Sequence, residues 1–157
     1  MIMECLFVKK YVENILAKLS MSDCKPMVTP LVVSEKLVKE NGEKWADFTL
    51  YRSLVGNLFY LIVTRSNIMF ASNLLSRFMY NPSQLHLGLA KRMLRHNKET
   101  LNYGIKFSKG ASTNLCGYCD SDWSGCVDDM KSTSNYYFSL DSRVFYQVSK
   151  KQWCMAQ

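Results

Sequence analysis

Histidine is scarce in this chain of 157 residues: only His86 and His96 occur. Both fall in one helical segment with no serine or cysteine partner placed for nucleophilic catalysis, and both are expected on its surface. The six cysteines do not form the dense framework of a small secreted domain. Cys116 and Cys119 have C-x-x-C spacing with Cys126 nearby, but a zinc site needs four ligands. On a strand the two would point to opposite faces, so no zinc site is expected. Long apolar runs are missing too. The longest, Leu54 to Val63, is interrupted by Gly56 and Asn57 and is too short to span a bilayer. Met1 to Val8 contains Glu4 and is too short in apolar residues for a secretory leader. These absences point to free thiols in a reducing, intracellular setting, cytoplasmic or nuclear, without a membrane. No internal repeat or low-complexity segment is present.

What is present fits a packed core. The hydrophobic fraction is 48% and the aromatic fraction 13%. The net charge of +7 is unevenly placed. Ser83 to Gly110 carries Lys91, Arg92, Arg95, Lys98, Lys106 and Lys109 against Glu99 alone. A basic middle fits a polyanion partner such as nucleic acid, or an ordinary solvated surface.

Periodicity divides the chain near Lys109 to Ser112, helices before and strands after. Cys5 to Val8 reads as the end of a strand. Lys9 to Leu19 reads as a helix with Val12, Ile15, Leu16 and Leu19 on one face. Asp23 to Pro30 is a loop, because Pro26 and Pro30 remove donors and bias their predecessors to extended geometry. Leu31 to Lys44 is charged and expected to be mobile, with a helical turn near Ser34 to Lys39. Asp47 to Val63 is a second helix, striped by Leu50, Leu54, Leu58 and Leu61 and widened by Val55, Phe59 and Ile62, so it should be buried. Ser66 is placed to cap a third helix to about Met79. Asn81-Pro82 breaks it, and Ser83 caps a fourth to about Asn97. On that fourth helix Leu85, Leu89, Ala90, Met93 and Leu94 share one arc, and Lys91, Arg95 and Lys98 the opposite one. Period two then takes over at Tyr103 to Phe107, Leu115 to Asp122, Ser134 to Leu140 and Val144 to Ser149. Asp141-Ser142 makes a tight turn between the last two strands. The fold class is therefore α+β, with helices first and a small antiparallel sheet last.

Asp120 and Asp122 are the strongest chemical candidates. On a strand, positions i and i+2 share a face. Two carboxylates side by side repel unless a cation lies between them, which makes the pair a divalent-metal signal. A solvated strand end is the alternative. Lys91, Arg95 and Lys98 are the nucleic-acid candidates, because several cations on one rigid face suit phosphate spacing. A solvated polar face explains them equally well, and scattered aromatics do not indicate a base-stacking platform.

Several segments occur in a telling order. They are Asp23-Cys24-Lys25-Pro26, the run from Leu50 to Leu61, Leu75-Ser76-Arg77-Phe78, Asn81-Pro82-Ser83 and Ala90-Lys91-Arg92-Met93-Leu94-Arg95. After these come Asp120-Ser121-Asp122-Trp123, Lys131-Ser132-Thr133-Ser134 and Ser149-Lys150-Lys151-Gln152. This set, spread over nearly the whole chain, resembles the copia-type retrotransposon Pol polyprotein where reverse transcriptase passes into ribonuclease H. The resemblance implies that residues 1–110 hold the last palm strand with the thumb and connection helices. It implies that residues 111–157 are the opening, truncated sheet of a ribonuclease H-like domain.

It also implies roles. Asp120 would be a vestigial catalytic residue, and Asp120 with Asp122 vestigial Mg²⁺ ligands. Two-metal phosphodiester hydrolysis draws on a larger carboxylate cluster. The polymerase Tyr-x-Asp-Asp turn is absent, and Val127-Asp128-Asp129 is no substitute, since the family has a surface turn there. Asn135 stands where the family has Gly, Gln147 where it has Trp, and Ser66-Asn67 where it has Pro-Asp. The expectation is an inactive chain with no cofactor of its own, and a weak RNA–DNA hybrid or other nucleic acid as partner. An incomplete gene model of an active enzyme is the alternative. Oligomeric state stays open.

Overall fold

In the computed structural model, residues 2–32, 37–39, 42–103, 114–141 and 143–155 are described, with side chains from residue 9 onward except that of residue 143. The architecture is α+β. Four helices precede a three-stranded antiparallel sheet: α1 (Ile2–Lys18), α2 (Phe48–Ile62), α3 (Met69–Ser76), α4 (Gln84–Glu99), then β1 (Leu115–Ser121), β2 (Lys131–Leu140) and β3 (Arg143–Met155). The described residues up to 103, apart from 37 and 38, form one compact unit. Residues 37, 38 and 114–155 form a second.

Helix α1 takes in Cys5 to Val8, which the sequence reading made the end of a strand. A short apolar run is ambiguous between the two states, and no glycine or proline separates it from Lys9, so the helix continues through it. Val12, Ile15 and Leu16 form its buried face. Ser20 closes the helix in the left-handed region (φ 54°), and the Met21 N–H reaches back to the Leu16 carbonyl at 2.8 Å.

Asp47 caps α2, accepting from the Thr49 and Leu50 amides at 2.8 and 3.1 Å. Its buried stripe is Tyr51, Leu54, Val55, Leu58 and Leu61. Phe59, expected to widen that stripe, is exposed, and so are Phe48 and Tyr60. Tyr51 takes the inward position instead. Its hydroxyl donates to the Leu75 carbonyl at 2.7 Å, which satisfies the one polar atom on a fully buried ring. Burial pushes this phenol well above its ordinary pKa.

Ser66 does not cap the third helix. It opens a 3₁₀ turn, Ser66–Ile68, that leads into α3 with no side-chain cap. That helix stops at Ser76, short of the expected Met79. Ser83 does cap α4. Its backbone N–H donates to His86 Nδ1 at 3.0 Å, so His86 fills the role that Glu or Gln usually plays in a capping box. The His86 ring stacks on Phe78 at 4.0 Å between centroids. His86 and His96 are therefore buried, not on the surface. Arg65 is buried as well and donates to the Thr100 carbonyl and hydroxyl at 2.8 and 2.7 Å, just past the end of α4.

The expected turn near Ser34 to Lys39 falls partly outside the described residues, and 37–39 are not helical. Of the expected strand from Tyr103 to Phe107, only Tyr103 is described, and it is not in a strand.

In the sheet unit β2 lies between β1 and β3. The β1–β2 register runs from Leu115↔Leu140 to Ser121↔Ser134. The β2–β3 hairpin closes at Leu140↔Arg143, with Asp141 in the left-handed region (φ 57°) as a tight turn requires. Strand β3 continues through the Ser149 to Gln152 segment to Met155.

Candidate functional site

Strand pairing brings three segments of the sequence together at one end of the sheet. Asp120 pairs with Asn135, which pairs with Ser149, and Ser121 pairs with Ser134, which pairs with Lys150. The Asp-Ser-Asp-Trp, Lys-Ser-Thr-Ser and Ser-Lys-Lys-Gln segments thus lie side by side. Gln152 Nε2 ties them further, donating to Ser134 Oγ at 2.6 Å.

Asp120 is exposed on β1, one residue before the strand ends. Asp122 lies just beyond the strand, and its carboxylate accepts the Thr133 N–H. Its own N–H donates to the Thr133 carbonyl at 3.2 Å. A Cβ on Gly125 would sit 2.1 Å from Asp122 Oδ2, so the turn passes the carboxylate where only glycine fits. Asp122 is engaged in closing the β1–β2 connection. This differs from the expected pair on one strand face, because the strand alternation ends at Ser121. Among the described residues no group of three His, Cys, Asp or Glu side chains could hold a metal ion. Cys116 and Cys119 are exposed free thiols.

The turn between β1 and β2 has an internal frame. Ser124 N–H donates to Ser132 Oγ at 3.1 Å, and Ser124 Oγ to the Met130 carbonyl at 3.0 Å. Cys126 N–H donates to the Lys131 carbonyl at 3.1 Å, and Met130 N–H to the Cys126 carbonyl at 2.9 Å. Ser124 and Met130 are both left-handed, at φ 54°. Lys151 Nζ reaches in from β3, 2.7 Å from Asp129 Oδ1 and 3.0 Å from Cys126 Sγ. The hydrogen bond from Lys151 holds the Asp129 carboxyl down at about 2. Burial pulls Lys151 down, but its bonds to Asp129 and Cys126 outweigh this and leave it raised. Sequence reading missed this trio. Twenty-five positions separate Cys126 from Lys151, and only the strand register brings them together.

In the other unit, cations of the basic face of α4 also hold a loop. Arg95 Nε donates to the Lys25 carbonyl at 2.6 Å, and Lys98 Nζ to the Ser22 and Cys24 carbonyls at 2.7 and 2.9 Å. Arg92 reaches the Thr29 carbonyl and hydroxyl at 3.2 and 2.8 Å. These cations fasten the proline-bearing loop, which has few backbone partners of its own, to the helix. Lys91, Arg92 and Arg95 also line an open groove with Lys25, Met21 and Gly88. No described helix is long and apolar enough to cross a membrane.

Three relatives set this geometry in context. The chain is 42% identical over 144 residues to the retrovirus-related Pol polyprotein from transposon RE1 of Arabidopsis thaliana, a match that covers 92% of this chain and 10% of the polyprotein. Against the corresponding polyprotein from transposon RE2 of the same organism, identity is 39% over 144 residues, with the same two coverages. An uncharacterized mitochondrial protein of Arabidopsis thaliana is 36% identical over 143 residues, which is 91% of this chain and 59% of that protein. The chain spans about a tenth of the length of the two polyproteins. No family model matches it, and no solved structure does.

Proposed function

Because the chain belongs to the retrovirus-related Pol polyproteins of copia-type transposons, we propose that it corresponds to the passage from reverse transcriptase to ribonuclease H and is catalytically silent by itself. Residues 1–110 supply the end of the reverse transcriptase, its thumb and connection helices. Residues 111–157 supply the first sheet of a ribonuclease H-like fold. The observation that carries this reading is the alignment of the three family segments across β1, β2 and β3, with Asp120 exposed near the end of an edge strand. The inactivity follows from the chemistry. Two-metal hydrolysis needs a carboxylate cluster, and Asp122 is committed to the Thr133 amide. Losing the cluster forfeits most of a rate enhancement of many orders of magnitude.

The groove lined by Lys25, Lys91, Arg92 and Arg95 favours a second reading, weak binding of an RNA–DNA hybrid or other nucleic acid through its phosphates. Arg95 and Lys98 are partly committed to the loop, so Lys91 and Lys25 become the contacts to test. One experiment addresses both readings: the purified chain, a labelled RNA–DNA hybrid, and Mg²⁺ or Mn²⁺ across a salt series. The expected result is no cleavage, with salt-sensitive binding that weakens in Lys25→Gln/Lys91→Gln. Cleavage that disappears in Asp120→Asn overturns the first reading. A salt dependence identical in the double variant reduces the groove to ordinary surface.

A further inference from the structure

Cys126 is buried, and its Sγ lies 3.0 Å from an amine, Lys151 Nζ. Neither group is free to wander. Cys126 is fixed by hydrogen bonds from its N–H to the Lys131 carbonyl and from the Met130 N–H to its own carbonyl. Lys151 is fixed by its place in β3 opposite Thr133 and by Asp129 at 2.7 Å. The Lys151 side chain is 25% exposed, and Cys126 retains 8% of its surface. Sulfenic acids condense with a thiol to a disulfide or with a backbone nitrogen to a sulfenamide, and a neutral side-chain amine is a stronger nucleophile than an amide nitrogen.

We propose that Cys126 and Lys151 are a peroxide-responsive pair that closes a reversible sulfenamide bond between the 126–130 turn and β3. In the first step the Cys126 thiol attacks hydrogen peroxide. An S–O bond forms, the O–O bond breaks, sulfur is oxidised to sulfenic acid, and peroxide is reduced to water. In the second step the Lys151 ammonium gives one proton to solvent, and its free amine attacks the Cys126 sulfur. An S–N bond forms, the S–O bond breaks, and the leaving hydroxyl departs as water with the second amine proton. No further oxidant is needed. Excess thiol reverses the step by attacking sulfur and returning the amine. Because Asp129 stabilises the ammonium, the condensation quickens as pH rises above neutrality.

The role of the bond follows from where it lies. It spans the turn that seats Asp122 and the strand that carries Ser149 to Gln152, so it locks the end of the sheet at which the family segments meet. It also diverts Cys126 from irreversible oxidation to sulfinic acid.

The test treats the full chain with hydrogen peroxide and maps it by mass spectrometry after trypsin digestion. The expected product is lighter by two hydrogen atoms, carries a linked peptide joining Cys126 to Lys151, resists cleavage after Lys151, and reverts with dithiothreitol. The linked peptide distinguishes it from a disulfide of the exposed Cys116, Cys119 or Cys154, which has the same mass change. Lys151→Arg keeps the cation beside Asp129 but offers no amine. It should lose the linked peptide and carry Cys126 on to sulfinic acid, which dithiothreitol does not restore. A wild-type Cys126 that stays a free thiol, goes to sulfinic acid without the linked peptide, or joins a residue other than Lys151 overturns the proposal.

Discussion

The two units differ in how much apolar side chain they bury. In the helical unit Tyr51, Leu54, Leu58, Leu61, Ile68, Leu75, Met93 and Leu94 are all but inaccessible to water. In the sheet unit the buried strand residues are Ser132, Thr133, Ser134, Ser139 and Ser149, and the rings of Tyr118, Phe138, Phe145, Tyr146 and Trp153 are exposed. The first unit is held by apolar area removed from water, about 1.5–3 kcal/mol for each large aliphatic side chain. The second is held by its backbone ladder and by the polar frame of the 122–133 turn. A three-stranded sheet is marginal without something packed on its apolar face. The helical unit is thus finished as a core, while the sheet unit presents apolar surface of the kind that binds or aggregates.

The largest expected effect tests this contrast directly. Leu58→Ala empties a fully buried site and should cost about 2–5 kcal/mol in the helical unit. Phe145→Ala removes a larger ring that is 62% exposed and should change stability by no more than about 0.5 kcal/mol. Amide hydrogen exchange, read separately for residues 51–61 and 143–150, measures both losses. Equal costs would mean that the aromatic face of the sheet is covered in solution, and the contrast would fail.

A smaller effect sharpens the comparison by placing one substitution in both units. Gly88 lies within α4 with nothing within 4 Å of an added Cβ, so Gly88→Ala should stabilise the helix by about 0.5–1 kcal/mol. Gly125→Ala drives a methyl into the Asp122 carboxylate, breaks its bond to the Thr133 amide, and should cost about 1–3 kcal/mol. Thermal denaturation of the two variants should move in opposite directions. A neutral Gly125→Ala would show that Asp122 is not what closes the turn.

Much of the helical unit was legible because its signals are local. Ser83 caps α4 as residue type and spacing indicate, and α2 starts within one residue of the expected Asp47, which serves as its cap. The hairpin was legible because Asp141-Ser142 falls between two period-two runs, and the strands close at Leu140↔Arg143. The failures were cases where tertiary contact overrode a local rule. Ser66 is a good cap residue, yet the chain enters α3 through a 3₁₀ turn. By type His86 and His96 belong on the surface, but each is buried and finds a partner, Ser83 for one and the Met27 carbonyl for the other. Lys91, Arg95 and Lys98 do share a helix face. Periodicity could not show that the loop at 22–29 would fold back onto it. The sequence places Asp122 on one strand face with Asp120, whereas β1 ends one residue earlier, at Ser121. The Cys126, Asp129 and Lys151 trio had no sequence signal at all, since it depends on the register of β2 against β3.

The smallest effect concerns acid. Asp129 is held at about 2, against 3.8 for an unperturbed carboxyl, first by the hydrogen bond from Lys151. The unfolded chain therefore takes up this proton at a higher pH than the folded chain does. A carboxyl depressed on folding contributes stability that is fully present above its unfolded value and is lost as pH falls through its folded one. The loss should run from about pH 4 down to about pH 2. The Asp129 side chain is 37% exposed, so solvent screens the pair and the contribution is modest. It belongs to the sheet unit alone. The emission of Trp123 and Trp153, recorded in a Trp45→Phe chain, should show an acid transition that Asp129→Asn flattens in that window. Trp45 emission, recorded in a Trp123→Phe/Trp153→Phe chain, should titrate identically with and without Asp129→Asn. If Asp129→Asn left the sheet signal unchanged between those pH values, the Lys151 pair would be too weakly held to matter. The ladder alone would then carry the sheet unit, and its contrast with the helical unit would be sharper still.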